Sequence, residues 1–299
     1  MIEVSIIIVN WNSGVLLKNS IKSIKNSSIN YFEIIVIDND SKDNSINNLK
    51  NYSNDIKLIQ NKKNIGFGAA CNQGIIESTG RYILFLNPDA MVYNSTLKGC
   101  IDFMDVNKGI GILGVKLIDE NNLTSTSCSR FPKFKNYFFD SIGLSKFFPK
   151  LFKPATMMND WNHDSSMEVD QVMGAFMFCR RDLFVTIGLF DECFFVYYED
   201  MDLSIRAKKA GYKIFYNCNI NAYHKGRGTT DQIKDIRLFY SIRSRLIFAK
   251  KHLSRLDYLL IKLNTFSLEL FSRIVFAGLK HGFIGIKQII KGYKLLLKK

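Results

Sequence analysis

None of the six cysteines (71, 100, 128, 179, 193 and 218) stands in a CxxC pair. Their scatter speaks against a zinc ribbon or a disulfide-stapled secreted scaffold, and for reduced thiols in the cytoplasm. The start, MIEVSIIIVNWN, lacks a basic region and a small-residue cleavage site, so no signal peptide is expected. Long uncharged runs are missing too. The best apolar stretch is interrupted by Lys262, Glu269, Arg273 and Lys280, short of the ~20 residues a spanning helix needs. No GxGxxG follows the first apolar run, which makes a dinucleotide-binding fold a poor match. There is no internal repeat, and only the Lys-rich end is low in complexity.

What is present suits a globular protein. With 299 residues, 47% hydrophobic and 23% charged, the chain can bury one large core and carry an appendage. The net charge of +14 is concentrated at one end. Residues 232–299 hold 15 Lys or Arg against three acids, a balance of +12, which leaves +2 for the first 231. A core built for nucleic acid would carry its charge elsewhere, so no nucleic-acid partner is expected.

Apolar runs alternate with amphipathic stretches. Residues 4–9, 32–38, 57–61 and 81–87 predict strands, and the intervening segments predict helices, one with Leu16, Leu17, Ile21 and Ile24 inward. The pattern reads as an open α/β fold with a mainly parallel sheet. Such sheets bind ligands outside the carboxyl ends of their strands. Three polar clusters stand there: Asn10–Asn12, Asp38–Asp43 and Asn87–Asp89. Residues 125–168, rich in aromatics and Lys, predict a loop-rich insertion near an acceptor site.

Glu199-Asp200-Met201-Asp202 is the densest acidic cluster. Acids favour a helix start by about 0.3–1 kcal/mol each, so capping alone accounts for them. Delivered by the apolar run 194–198, they equally suit a carboxylate whose pKa is raised for taking a proton from a hydroxyl. Asn87-Pro88-Asp89 by itself is a turn, and a lone His224 is most often structural. Taken together, Asp89 and His224 offer oxygen and nitrogen donors suited to Mn²⁺ or Mg²⁺ on a diphosphate.

Six segments, VSIIIVNWNSG, VIDNDSKDNS, NIGFGAACNQGI, GRYILFLNPDA, GLFDECFFVYYEDMDLSIRAKKAGY and AYHKGRGTT, run in order across about residues 3–230. Together they resemble glycosyltransferase family 2, in its rhamnosyltransferase-like branch. The resemblance implies a GT-A fold (a nucleotide-diphospho-sugar transferase fold) over 1–231. It also implies an inverting single displacement with Asp200 as the base and Glu199, Asp202 and Arg206 at the acceptor or supporting the site from behind. Asp89 and His224 would hold the Mn²⁺ or Mg²⁺ of the donor diphosphate, with Asn87 where the family's first acid usually stands. Asp38 and Asn39 would meet the nucleobase, near Asn10 and Asn12. Gly66, Gly68 and Asn72 would line the donor from the other side.

The resemblance implies a nucleotide-sugar donor, expected to be dTDP-L-rhamnose, and a polyprenyl-diphosphate-linked glycan acceptor in bacterial surface polysaccharide synthesis such as O-antigen. A UDP-sugar donor (galactofuranose or hexose) and a non-catalytic nucleotide-sugar-binding protein are the alternatives. The basic tail, 232–299, has apolar residues at helical spacing from Leu256 onward. It reads as amphipathic helices on an anionic membrane surface, at the inner face of the cytoplasmic membrane, or as helices packed on the protein. Arg237, Arg243 and Arg245 are candidates for the acceptor's phosphates. The oligomeric state stays open.

Overall fold

The computed structural model describes residues 2–226 and 234–297. Residues 227–230 of the last motif, and Lys298 and Lys299, lie outside the described residues. The four apolar runs form β1 (Val4–Asn10), β2 (Phe32–Asp38), β3 (Ile56–Gln60) and β4 (Tyr82–Leu86), with α1 (Leu16–Lys25) and α2 (Phe67–Glu77) between them. These strands lie parallel in the order β3-β2-β1-β4. Ile6 and Ile8 of β1 share a core with Leu17, Ile21 and Ile24 of α1. Ile7 points to the opposite face, where α2 approaches. Gly74 makes that approach possible, since a Cβ there would meet Ile7 Cγ2 at 2.6 Å. Apolar cover on both faces is what the uninterrupted β-branched run requires.

The chain continues through β5 (Ala90–Val92), α3 (Thr96–Val106), β6 (Ile110–Ile118), β7 (Cys128–Ser129), α4 (Phe134–Ser141) and α5 (Leu144–Phe147). Next come β8 (Met167–Glu168), β9 (Gln171–Val172), β10 (Phe176–Arg180), α6 (Arg181–Ile187), α7 (Glu199–Lys209) and β11 (Lys213–His224). The sheet extends from β4 in the order β10-β6-β11-β5, with β8 also on β11. β10 runs antiparallel to both neighbours, β11 is parallel to β6, and β5 is antiparallel to β11. The sheet is thus mainly parallel, as expected.

The chain clusters into two compact units. The sheet unit comprises 1–129, 162–192 and 199–229; the other comprises 130–161, 193–198 and 230–299. The sequence reads 125–168 as loop-rich, yet its centre forms α4 and α5 and clusters with the C-terminal helices. The aromatics explain this: Tyr137 and Phe134 pack with Ala249 and Ile261 into a small core. The C-terminal helices are α8 (Lys234–His252), α9 (Arg255–Asn264) and α10 (Leu270–Leu297). Ser254 caps α9, its Oγ accepting from Asp257 N at 3.0 Å. One π-helical turn, 265–269, precedes α10, which kinks at Gly282 where φ is 59°. Among the described residues no helix is long and apolar enough to cross a membrane.

Arg245 is turned into the protein and is not open to an acceptor's phosphates. Its guanidinium is buried, donating to Glu269 Oε2 at 2.7 Å and to Thr265 Oγ1 at 2.8 Å.

Candidate active site

Parallel pairing brings the carboxyl ends of β1, β2 and β4 to one edge of the sheet. At the end of β1, Asn10 is fully buried, and its Nδ2 lies 2.7 Å from Asp38 Oδ1 and 2.8 Å from Ser45 Oγ. Asn12 adopts φ 50°, a left-handed conformation that Asn tolerates. It clasps the loop after β2, accepting from Lys42 N at 2.7 Å while its own N–H donates to Ser41 Oγ at 2.9 Å. The candidate nucleobase residues are therefore braced against one another. Ser41 and Ser45, which complete the brace, lie inside the motif VIDNDSKDNS but are not among the expected site residues.

Asn39 extends the brace toward α2. Its Nδ2 donates to Gly66 O at 3.0 Å, and its Oδ1 accepts from Asn61 at 2.9 Å. Gly66 sits at φ 93°, a conformation that favours glycine, and opens α2, in whose first turn Gly68 is buried. Asn72 does other work. Its amide donates to Phe190 O and accepts from Phe190 N, both at 2.9 Å, which holds the chain beyond α6.

Asn87-Pro88-Asp89 is indeed a turn, closed by Ala90 N donating to Asn87 O at 3.0 Å. The antiparallel pairing of β5 with β11 sets His224 opposite Ala90. His224 Nε2 then lies 3.4 Å from Asp89 Oδ1, and both side chains are buried. No group of three or more His, Cys, Asp or Glu that could hold a metal occurs among the described residues. A cation here would take one oxygen and one nitrogen from the protein. That donor pair fits Mn²⁺ or Mg²⁺, which commonly complete their shells with substrate phosphates and water.

At the start of α7, Asp200 is gripped at both oxygens. Oδ2 accepts from Gln171 Nε2 at 2.9 Å and from Gly174 N at 3.1 Å; Oδ1 accepts from Met201 N at 2.8 Å. The same short segment reaches the other cluster, since Ala175 O accepts from Asn87 N at 3.0 Å. Gly174 and Ala175 thus tie the turn bearing Asp89 to the carboxylate of Asp200. Sequence reasoning missed Gln171 and Gly174, because neither forms a motif with an acid about 30 residues away.

Burial pushes the Asp200 pKa up, against the lowering effect of those hydrogen bonds. Glu199 is displaced further. Burial first, and the Asp200 charge second, drive its pKa well above the ordinary carboxylate range. Glu199 is only 5% exposed, and its Oε2 has no hydrogen-bond partner. Of the adjacent pair, Asp200 is the one equipped to carry the negative charge. Tyr197 and Tyr198, which lead into α7, have φ of 67° and 68°, a strained backbone of the kind that clusters at functional sites.

Asp202 and Arg206 are engaged with the protein itself. Arg206 Nε donates to the fully buried Asp202 at 2.8 Å, while its Nη atoms hold Ile187 O and Leu189 O at 2.7 and 2.8 Å. They fix the turn after α6.

The model of the family described as "Glycosyl transferase family 2" matches residues 5–162. The N-acetylglucosaminyl-diphospho-decaprenol L-rhamnosyltransferase of Mycobacterium tuberculosis is 22% identical over 83% of this chain and 84% of its own. Rhamnosyltransferase WbbL of Escherichia coli is 29% identical over 48% of this chain and 52% of its own. Among solved structures, residues 1–349 of S. aureus TarS with UDP-GlcNAc align at TM-score 0.57 and 17% identity, over 97% of this chain and 79% of that one. The chain spans 48% of the longer TarS chain. Mannosyltransferase PcManGT of Pyrobaculum calidifontis, with GDP-Man and Mn²⁺, aligns at TM-score 0.56 and 13% identity, over 99% of this chain and 80% of that one. The fold is the GT-A fold of these transferases.

Proposed function

The chain belongs to glycosyl transferase family 2, and from that premise we propose an inverting transferase that moves L-rhamnose from dTDP-rhamnose onto a lipid-linked glycan. The observation that carries the reading is the grip on Asp200 by Gln171, Gly174 and Met201. Three donors stabilise its anion and fix its orientation, while burial keeps it basic enough to accept a proton. Asp200 takes the proton of an acceptor hydroxyl as that oxygen attacks the anomeric carbon from the face opposite the leaving group. One displacement inverts the configuration, and no enzyme nucleophile is required.

Asp89 and His224 are the residues that would hold Mn²⁺ or Mg²⁺. When bound, the ion supplies positive charge against the charge growing on the departing diphosphate. Asn10, Asn12, Asp38 and Asn39 shape the nucleobase end, with Gly66 and Gly68 opposite and Asn87 beside Asp89. Asn72, Asp202 and Arg206 hold the surrounding chain, and Glu199, its pKa raised by burial and by the Asp200 charge, resists ionising beside the base. The rhamnose is supported by the names of the M. tuberculosis and E. coli relatives, and the polyprenyl-diphosphate acceptor by that of the M. tuberculosis relative. Residues 1–231 carry the chemistry, and the basic region 232–299 keeps the enzyme on the inner face of the cytoplasmic membrane.

The test is a donor screen. Purified protein with Mn²⁺ or Mg²⁺ is given dTDP-rhamnose, UDP-galactofuranose and UDP-hexoses, and nucleoside diphosphate release is followed with and without a lipid-linked acceptor. Release from dTDP-rhamnose is expected, with an inverted anomeric centre in the product. Release only from a UDP-sugar would keep the mechanism and overturn the donor. Silence with a proven acceptor would favour a non-catalytic nucleotide-sugar-binding protein.

A further inference from the structure

We infer that the 138–151 segment and α10 together form a two-part surface that lies on an anionic lipid bilayer. This inference rests on the membrane association proposed above and assigns half of the anchor outside the basic tail.

Phe271, Val275 and Leu279 recur every four residues on α10 and so share one face of the helix. All are exposed, Leu279 by 84%. Beyond the kink at Gly282, Phe283 and Ile284 remain exposed, Phe283 by 81%. The other half comes from the insertion, where Phe147, Phe148 and Leu151 are exposed by 73%, 59% and 75%. Contacts join the two halves. Ser272 Oγ donates to Ser141 O at 2.6 Å, and Lys146 Nζ lies 5.0 Å from the centre of the Phe276 ring. Large apolar side chains grouped this way on a surface mark an interaction site rather than ordinary scatter.

Charge identifies the occupant. α10 contains no acid along its length, and Lys280, Lys287, Lys291 and Lys294 on it are exposed. Lys146 and Lys150 flank the aromatics of the insertion. The nearest acid preceding α10, Glu269, is buried between Arg245 and Arg273. Asp140 in the insertion accepts from Ala155 N at 3.1 Å. A second copy would present the same positive charge and be repelled. An anionic bilayer supplies both what the apolar side chains need and what the lysines need, their stems buried and their ammonium groups among the headgroups.

The test is co-sedimentation of the full chain with vesicles of phosphatidylcholine, with or without phosphatidylglycerol. Wild type is expected to bind the anionic vesicles and to be released by salt. The pair Phe147→Glu with Leu151→Glu, and separately Leu279→Glu with Phe283→Glu, should each lower partitioning about tenfold or more. Circular dichroism checks folding, and Lys287→Glu with Lys291→Glu provides a surface-only variant expected to lose the anionic preference. Three outcomes would overturn the inference: insertion variants that bind like wild type, equal binding to neutral vesicles, or a lipid-free dimer by light scattering that the Glu variants dissolve. Failure of the catalytic reading would leave vesicle binding intact and silence the donor screen, so the two fail separately.

Discussion

His224 Nε2 lies 3.4 Å from Asp89 Oδ1, brought there by a strand pairing of three residues between β5 and β11. If these two atoms hold the diphosphate's cation, His224→Ala and Asp89→Asn should each raise the Mn²⁺ needed for half-maximal turnover about tenfold or more. Chelation of the wild type should reproduce the loss. A metal titration that does not move in either variant would remove both residues from that role.

Asp200→Asn should lower kcat by about 10²–10⁴-fold, the range ascribed to a positioned base. Donor affinity, measured by calorimetry, should stay near wild type because the amide fills the same space. Substantial remaining turnover would mean that another group takes the proton.

Gln171 stabilises the Asp200 anion through the 2.9 Å hydrogen bond. The base works deprotonated, so kcat/KM should rise with pH through a pKa above the ordinary aspartate value, as burial dictates. Gln171→Leu removes one donor to the anion and should shift that limb to higher pH while lowering kcat. An unshifted limb in this variant would show that Gln171 acts through packing alone.

Glu199 links the same pair to stability. Its folded pKa is raised, so its contribution is fully present below the unfolded value and is lost as pH rises through the folded one. Glu199→Gln cannot ionise and escapes that loss. Thermal melts should show the variant matching wild type below the unfolded glutamate pKa and gaining on it as pH rises above that value, by about 1–3 kcal/mol. Parallel pH curves would show that Glu199 ionises freely.

In the helical unit, Arg245→Met leaves Glu269 with Arg273 as its remaining ionic partner. Removing one member of a buried ion pair costs about 3–5 kcal/mol. Burial raises the Glu269 pKa, but the two arginines outweigh it and hold the pKa below its usual value. That stability is present above the unfolded pKa and lost as pH falls through the folded one. Denaturation at neutral pH should show the full loss, narrowing in acid. A variant as stable as wild type would place the network's importance elsewhere.

The sequence by itself determined the parallel half of the sheet and its polar edge. A β-branched run such as VSIIIV is stable only when covered on both faces, and polar residues where such runs end have one place to stand, the carboxyl edge. Six motifs in order were enough for the family, since each is a local pattern. Only the tertiary structure decided which of the polar residues meet. The 3.4 Å approach of Asp89 to His224 and the grip of Gln171 and Gly174 on Asp200 depend on antiparallel pairings and a short return segment. No local pattern encodes such contacts. Asp202, Arg206 and Asn72 read as site residues from their motifs; in the structure Arg206 holds Asp202 and two backbone carbonyls, while Asn72 holds the backbone of Phe190 and the Glu192 carboxylate. The insertion followed the same rule. Its aromatics announced burial, but Ala249 and Ile261, distant in the chain, supplied the core that folded it.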